Sequence, residues 1–508
     1  VAHEIDPAFR AYPMRMLADA ALQRARDLGV DHAEFRFERI RSQTLALRDA
    51  ALEGSRDGED VGFSVRVLHD GTWGFAAAVD LTPEHAVRAT EQAVELAKVA
   101  RDLSPTRVEI ADEPTYADVM WVSDYDIDPF SIPDTDKIEL LAARSRQVLE
   151  QPAVDHITAR LDQVLENKFY ANTAGTVTTQ QRVRVQPAFE ALAVDAGSGR
   201  FETMETLAAP AGRGWEYVTG ADGVVAWDAA LDELGPLLAE KLAAPTVDAG
   251  RYDLVIDPTN LWLTIHESVG HATELDRALG YEANYAGTSF ATLDKLGTLR
   301  YGSPAMHVTG DRTARHGLAT IGYDDEGVQA QRWDIVRDGV LVGYQLDRAM
   351  AKDNASALGT SRSNGCAFAD SPGHVPVQRM ANVSLQPAAA GPSTEDLISR
   401  VDDGIYIVGN KSWSIDMQRY NFQFTGQRFY RIRNGRLSGQ LRDVAYQATT
   451  TDFWGSLDAV GGPQTYVLGG AFNCGKAQPG QIAPVSHGCP SALFRDINVL
   501  NTAQEGGQ

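Results

Sequence analysis

Cysteine is scarce in this chain. Only Cys366, Cys474 and Cys489 occur among 508 residues, too few to staple a protein of this length. A disulfide scaffold is therefore excluded and a reducing compartment is expected. Long hydrophobic runs are lacking too. No stretch approaches the ~18 uncharged apolar residues that a membrane-spanning helix needs, and the opening VAHEIDPAFRAYPMRM holds no apolar segment of signal-peptide length. Basic residues are outnumbered, 46 Lys and Arg against 69 Asp and Glu, for a net charge of −23. Phosphate backbones need a basic surface, so general nucleic-acid binding is excluded and the excess charge reads as solubility. Internal repeats and low-complexity tracts are absent. The expectation is a cytoplasmic protein that partners neither membrane nor nucleic acid. Arginine-rich, alanine-rich usage suits a GC-rich bacterial genome, with Val1 read as an alternative start codon translated literally.

What is present is ordinary globular composition, 44% hydrophobic and 23% charged. At roughly 150 residues per domain the length predicts two to four domains. Leu17, Ala21, Ala25 and Leu28 recur at helical spacing over 14–28, closed by Gly29. Ala33, Phe35 and Phe37 alternate with polar residues as in a half-buried strand. Residues 62–77 read as a hairpin turning at Asp70-Gly71. Thr82-Pro83 caps a second helix whose buried stripe is predicted as Ala86, Ala89, Ala93, Leu96 and Ala100. The stretch 103–135 is Pro-, Asp- and Ser-rich and reads as a long connection. A helix near 136–150, strands over 156–218 and a helix near 226–243 follow.

Pro245 to Gly250 marks the candidate boundary. Beyond residue 300, short apolar runs with hairpin signals at Asp338-Gly339 and Asn434-Gly435 predict mostly β structure. The fold class is thus α+β. Residues 1–244 are expected to form an N-terminal α/β-sandwich-like domain with a mixed sheet and helices. Residues 245–508 are expected to form a predominantly antiparallel β domain carrying a metal-site helix.

That helix follows the strand Tyr252–Ile256 and is opened by Asp257-Pro258. Leu261, Ile265 and Val269 form its core stripe, and the segment HESVGH places His266, Glu267 and His271 elsewhere on its surface. The familiar zinc motif spaces its histidines four apart, about 40° around a regular helix. A spacing of five separates them by about 140° on a regular helix, so shared ligation requires a widened turn. Gly270 is the residue best suited to that distortion. With the turn widened, two imidazoles and a third ligand leave zinc an open position for water, whose pKa falls to ~7. Glu267 would then take the water proton and later protonate the leaving amine. Without it, these are unrelated histidines, since so short a motif also arises by chance.

The third ligand is not local, because Arg277 stands where some zinc peptidases place a further histidine. Glu274, Glu282, Cys474 and Cys489, the last beside His487, all remain open. Gly470 to Lys476 fits the first part of a phosphate-binding loop. However, Ala477 replaces the magnesium-binding hydroxyl and Gln478-Pro479-Gly480 stops the required helix, which excludes an ATP site.

Several long blocks occur in one order: HAEFRFERIRS, VGFSVRVLHDGTWGFA, HESVGHATELDRALGYEANYAGTSFA, YDDEGVQAQRWDIVRDGVLVGYQLDR, RMANVSLQPA, RNGRLSGQLRDV and NCGKAQPGQ. Along nearly its whole length the chain resembles the TldD/PmbA family of metallopeptidases, specifically the TldD branch. The resemblance implies one zinc (Zn2+) per active chain, held by His266, His271 and Cys474, with Glu267 as catalytic base. It also implies a dimer, either a homodimer or a heterodimer with a TldE/PmbA-like subunit, enclosing the site, and small or unfolded peptides as substrates. SHGCP at 486–490 departs from the family's glycine-rich sequence and leaves the roles of His487 and Cys489 open. Tyr281, Tyr285 and His374 are candidates for oxyanion stabilisation. Two alternatives compete with general peptide hydrolysis. One is a TldD-like hydrolase dedicated to a single amide in a biosynthetic pathway. The other is a non-catalytic PmbA-like partner, against which the intact metal motif argues.

Overall fold

The computed structural model describes residues 4–505. The molecule is α+β, with 26% helix and 39% strand. The first half is built on a seven-stranded sheet. Its strands are β1 (His32–Arg48), β2 (Ala51–His69), β3 (Thr72–Ala78), β4 (Val119–Val122), β5 (His156–Asn172), β6 (Val177–Val194) and β7 (Phe201–Glu205). They run in the order β3-β2-β1-β5-β6-β4, with β7 also on β6. All pairings are antiparallel except β4 with β6.

The hairpin at Asp70-Gly71 forms as expected, both residues taking positive φ (48° and 69°). The helix Met14–Asp27 also forms, as does Pro83–Leu103 with Thr82 accepting from the His85 N–H. The buried stripe of the second helix differs from expectation. It runs through Ala86, Ala89, Thr90, Ala93, Val94 and Ala97, and Leu96 points outward. Alanine occupies so many turns of this helix that hydrophobic contrast could not fix the facing. Strand β4 lies inside the stretch read as connection. The strands expected through 218 end at Glu205, and Trp215–Thr219 is helical. The helix near 226–243 is two, Trp227–Asp232 and Leu234–Ala243.

Alternation along β1 assigns the two faces of this sheet. Ala33, Phe35 and Phe37, then Leu45 and Leu47, lie on the face covered by the helices. His32, Glu34, Arg36 and Glu38 lie on the opposite face, are also buried, and meet the second half. There Arg66 pairs with Glu326, Lys168 with Asp325, and Arg36 donates to the carbonyls of Ser371 and His374.

The second half begins with β8 (Gly250–Ile256) and continues with β9 (Val308–Asp311), β10 (Arg332–Arg337), β11 (Val340–Leu341), β12 (Ala367–Phe368), β13 (Val377–Gln378) and β14 (Asn382–Leu385). It ends with β15 (Asp403–Ile415), β16 (Asn421–Arg433), β17 (Arg436–Leu441), β18 (Val444–Thr449), β19 (Leu457–Val460), β20 (Val467–Ala477), β21 (Gly480–Cys489) and β22 (Ala492–Asn501). A small sheet runs β11-β10-β9-β14. The larger one runs β15-β8-β22-β18-β16-β17, and β15 also pairs with β16, so five strands close on themselves. Only β15 with β8 is parallel in that ring. One continuous apolar core joins the ring to the helix Pro258–Ile265, with Phe453 stacked on Phe494 at 4.1 Å. The hairpin β20–β21 joins neither ladder but packs its second strand on β14, and it brings Cys474 to the helix. Among the described residues, no helix is long and apolar enough to cross a membrane.

Candidate metal centre

Strand β8 delivers the chain to Asp257, whose carboxylate accepts from the Thr259 N–H at 3.0 Å and starts the helix. Regular bonding ends at Ile265. His266–Gly270 is one turn of π-helix, and the His271 N–H donates to the His266 carbonyl five residues back. The extra residue rotates His271 onto the side of His266, and the ring centroids lie 4.6 Å apart. The widened turn demanded by the spacing is therefore present.

A π turn strands carbonyls that α bonding would use, and side chains take them. Tyr301 OH donates to the Ser268 carbonyl, Thr273 Oγ1 to Val269 at 2.8 Å, and Gln345 Nε2 to Gly270 at 2.7 Å. Gly270 is favoured for a reason other than backbone freedom. Its φ of −54° is open to any residue, but a Cβ there would come 2.6 Å from Met380 Sδ.

Cys474 arrives from the far end of the chain. The β20–β21 ladder shifts register between Ala471 and Cys474, and such a bulge re-aims side chains. The buried Arg379 guanidinium holds the bulge by donating to the carbonyls of Cys474 and Gln481. Lys476, two residues on, forms a buried ion pair with Asp276 beside the π turn. The ligand-capable atoms of His266, His271 and Cys474 all lie within 4.8 Å of one another, and Cys474 Sγ is 3.6 Å from His271 Nε2.

Hydrogen bonds behind the histidines determine which nitrogens face this point. The Val383 carbonyl can only accept, so His487 bears its proton on Nδ1, 2.7 Å away. Burial holds His487 well below the ordinary imidazole range, hence neutral, leaving its Nε2 bare. That nitrogen lies 2.7 Å from His266 Nδ1, which must donate to it. Likewise His271 Nδ1 donates to Glu274 Oε2 at 2.8 Å. Both ligand-candidate rings are thus fixed with Nε2 toward Cys474, the arrangement in which an outer partner orients a metal-binding imidazole. Burial alone would raise the Cys474 thiol, but His271 and His266 outweigh it and hold it well below the ordinary thiol range. Burial lowers His266, and the Cys474 sulfur more than restores it. Burial pulls His271 well below the imidazole range. Two imidazole nitrogens and a thiolate can hold zinc and leave one position free.

Glu267 projects from the same turn, and its carboxylate is ion-paired with Arg419. Arg419 sits in the β15–β16 turn at φ +62°, a strained conformation for a side chain of this size. Sequence reasoning missed Arg419, which carries no motif and lies 152 residues from its partner. His266, Glu267, His271 and Cys474 all line a cleft of about 430 Å³. Its other wall is Glu205 to Pro210, contributed by the first half.

The remaining candidates fall elsewhere. Glu274 stands behind His271, and Glu282 pairs with Arg277. Cys489 turns away to donate to the Pro258 carbonyl at 3.5 Å, and burial pushes its thiol well up. Tyr281 and Tyr285 are exposed, and His374 pairs with Asp370, all outside the cleft lining. Gly470 to Lys476 is strand, not a loop opening a helix.

Comparison with known proteins gives the same picture at the level of the family. Residues 249–501 match the PmbA/TldA metallopeptidase C-terminal domain, and residues 33–97 match PmbA/TldA metallopeptidase domain 1. A metalloprotease of Methanothermobacter thermautotrophicus is 28% identical over 93% of this chain and 96% of its own length. A zinc metalloprotease TldD homolog of Saccharolobus solfataricus is 22% identical over 94% and 98%. A metalloprotease TldD homolog of Haemophilus influenzae is 25% identical over 93% of both chains. Among solved structures, TldE of Thermococcus kodakarensis shares the fold with a TM-score of 0.67 at 15% identity, covering 95% of this chain and 99% of its own. A Thermotoga maritima protein superposes with a TM-score of 0.75 at 17% identity over 96% and 100%.

Proposed function

Because the chain belongs to the PmbA/TldD metallopeptidase family, we propose that it is a zinc-dependent hydrolase of small or unfolded peptides. In this reading His266, His271 and Cys474 hold one zinc and Glu267 is the general base. The observation that carries it is the convergence of two tautomer-fixed imidazoles and a thiolate on a cleft that Glu267 also lines. Zinc bound there would polarise the scissile carbonyl and acidify a water molecule. The chain's own groups do the rest. Glu267 accepts the water proton and returns it to the departing amine. Arg419 holds the Glu267 carboxylate in place through their ion pair. His487 and Glu274 keep the rings from rotating.

The edge of β20 away from β21 has no ladder partner among the described residues, and Val467 and Gly469 to Gly475 line the cleft. An extended peptide can pair with such an edge through its backbone, which supports substrates that are short or unfolded. The reading includes assembly as a dimer, with itself or with a TldE-like subunit, as the family resemblance implies. Metal analysis and a matched pair of substrates test the reading. The Glu267→Gln variant should keep its zinc while kcat falls by about 10²–10⁴. A cleavable segment should be cut when free and spared when locked in a stable domain. Full turnover by metal-free protein, or equal cleavage of both substrates, would refute it.

A further inference from the structure

The cleft is asymmetric in charge. Two carboxylates line it, Glu267 and Glu205, and no lysine or arginine does. Glu267 is compensated by Arg419 from behind. Glu205 is not compensated: among the described residues its carboxylate has no hydrogen-bond donor and no cation. It comes from β7, where Met204 enters the first half's apolar core and alternation turns Glu205 to the other side, into the cleft. Its backbone is fixed there, because the Glu205 N–H donates to Gln427 Oε1 of β16 at 2.7 Å. A polar link between the halves thus sets the position of this carboxylate on the wall that faces the candidate zinc ligands.

We propose that Glu205 is a specificity-determining residue that anchors a cationic group of the peptide substrate, either its free α-ammonium or a Lys or Arg side chain. This rests on the metallopeptidase reading of the cleft and adds a substrate class to it. Glu205 is half-buried in the cleft wall, and a partly desolvated carboxylate without a partner gains when a cation arrives. Burial, with Glu190 adjacent across the strand pair, pushes Glu205 up to about 7, which fits a group waiting for a cation rather than one already satisfied. A substrate ammonium supplies the missing partner through a charge-assisted hydrogen bond in the partly desolvated cleft. The exposed indole of Trp413 lines the same cleft and adds a ring face of the kind that attracts cations.

The test uses zinc-loaded full-length protein and four peptides sharing one backbone length. One has a free N-terminus and neutral side chains. Three are N-acetylated and differ at one residue: Ala, Lys or Glu. Ratios of kcat/KM between peptides are read in wild type, Glu205→Gln and Glu205→Lys, so a general loss of activity cancels. Dissociation constants for the same peptides are read by calorimetry in the zinc-loaded Glu267→Gln background, with and without Glu205→Gln. Wild type should favour a cationic peptide over the acetylated Ala peptide by roughly tenfold to a hundredfold, the span of one charge-assisted hydrogen bond. Glu205→Gln should bring that ratio to about one, and Glu205→Lys should shift preference to the Glu peptide. The free-terminus and Lys arms tell an α-ammonium from a side chain. Equal handling of all four peptides by wild type, or a cationic preference that survives Glu205→Gln, overturns the anchor. Absence of hydrolysis by wild type would instead count against the metallopeptidase reading, and the calorimetric ratios would still decide the anchor.

Discussion

Two buried polar assemblies lie in this molecule, and they are built on opposite principles. One is the lattice on the charged face of the first sheet, where Lys168 meets Glu38, Glu166 and Asp325, and Arg66 meets Glu34 and Glu326. The other is the candidate metal centre on the π turn. Both are sequestered from solvent and both shift the protonation of their members. In the lattice, each of these charges faces an opposite one, so nothing is left over for chemistry. In the metal centre, His487 and Glu274 satisfy the rear of each ring, while the front nitrogens and the Cys474 sulfur converge on a shared point. Burial and perturbed titration therefore do not mark function in this protein. Binding capacity directed at a common point, supported from behind, does.

The comparison can be broken most severely at Cys474. Cys474→Ala should remove zinc and lower kcat/KM by about 10³ or more, since a structural or catalytic zinc site depends on its full ligand set. It should unfold near the wild-type temperature when both proteins are metal-free. Lys168→Met should do the reverse. It takes one cation from three buried carboxylates, Glu38, Glu166 and Asp325, which keep only Arg36, Arg182 and Arg184, and should destabilise the fold by about 3–5 kcal/mol, measured by urea unfolding, with metal stoichiometry unchanged in the folded fraction. His487→Phe sits between the two. It keeps the ring volume but loses the acceptor that fixes His266, so zinc affinity should fall by about 10–100-fold in a chelator competition.

The smallest effects are in the pH dependence of stability. Burial would raise Glu34, but Arg66, His32 and Arg348 together outweigh it and hold Glu34 at about 2, below its ordinary 4.5. Its contribution is present above pH 4.5 and is lost as pH falls toward 2. Burial raises Glu38 to about 7, so its contribution has the opposite sign, present below 4.5 and lost as pH rises through 7. Glu34→Gln should flatten the acid limb of the stability profile, and Glu38→Gln the limb between 4.5 and 7.

The widened turn of the candidate metal centre was legible because its constraint is local. Five-residue spacing of His266 and His271 on a helix forces a widened turn, and Asp257-Pro258 announces where that helix starts. The lattice was not legible. Ala33, Phe35 and Phe37 alternating with Glu34, Arg36 and Glu38 reads as a strand with one face in water, because alternation separates two faces without saying what covers the polar one. Here the second half covers it. Arg419 and Gln345 escaped, and the role of His487 stayed open, for a related reason. Each meets its partner across a long stretch of sequence, and a single hydrogen bond leaves no periodicity to find. The ring closure of β15 on β16 depends likewise on strand order, which hydrophobic runs do not encode.

The central claim is that His266, His271 and Cys474 form one ligand set. Zinc-edge X-ray absorption on the loaded full-length protein tests it most directly. The account predicts two imidazole scatterers at about 2.0 Å and one sulfur at about 2.3 Å, with the sulfur lost in Cys474→Ser and retained in Cys489→Ser. A spectrum without sulfur in wild type, or a sulfur that survives Cys474→Ser, would contradict it.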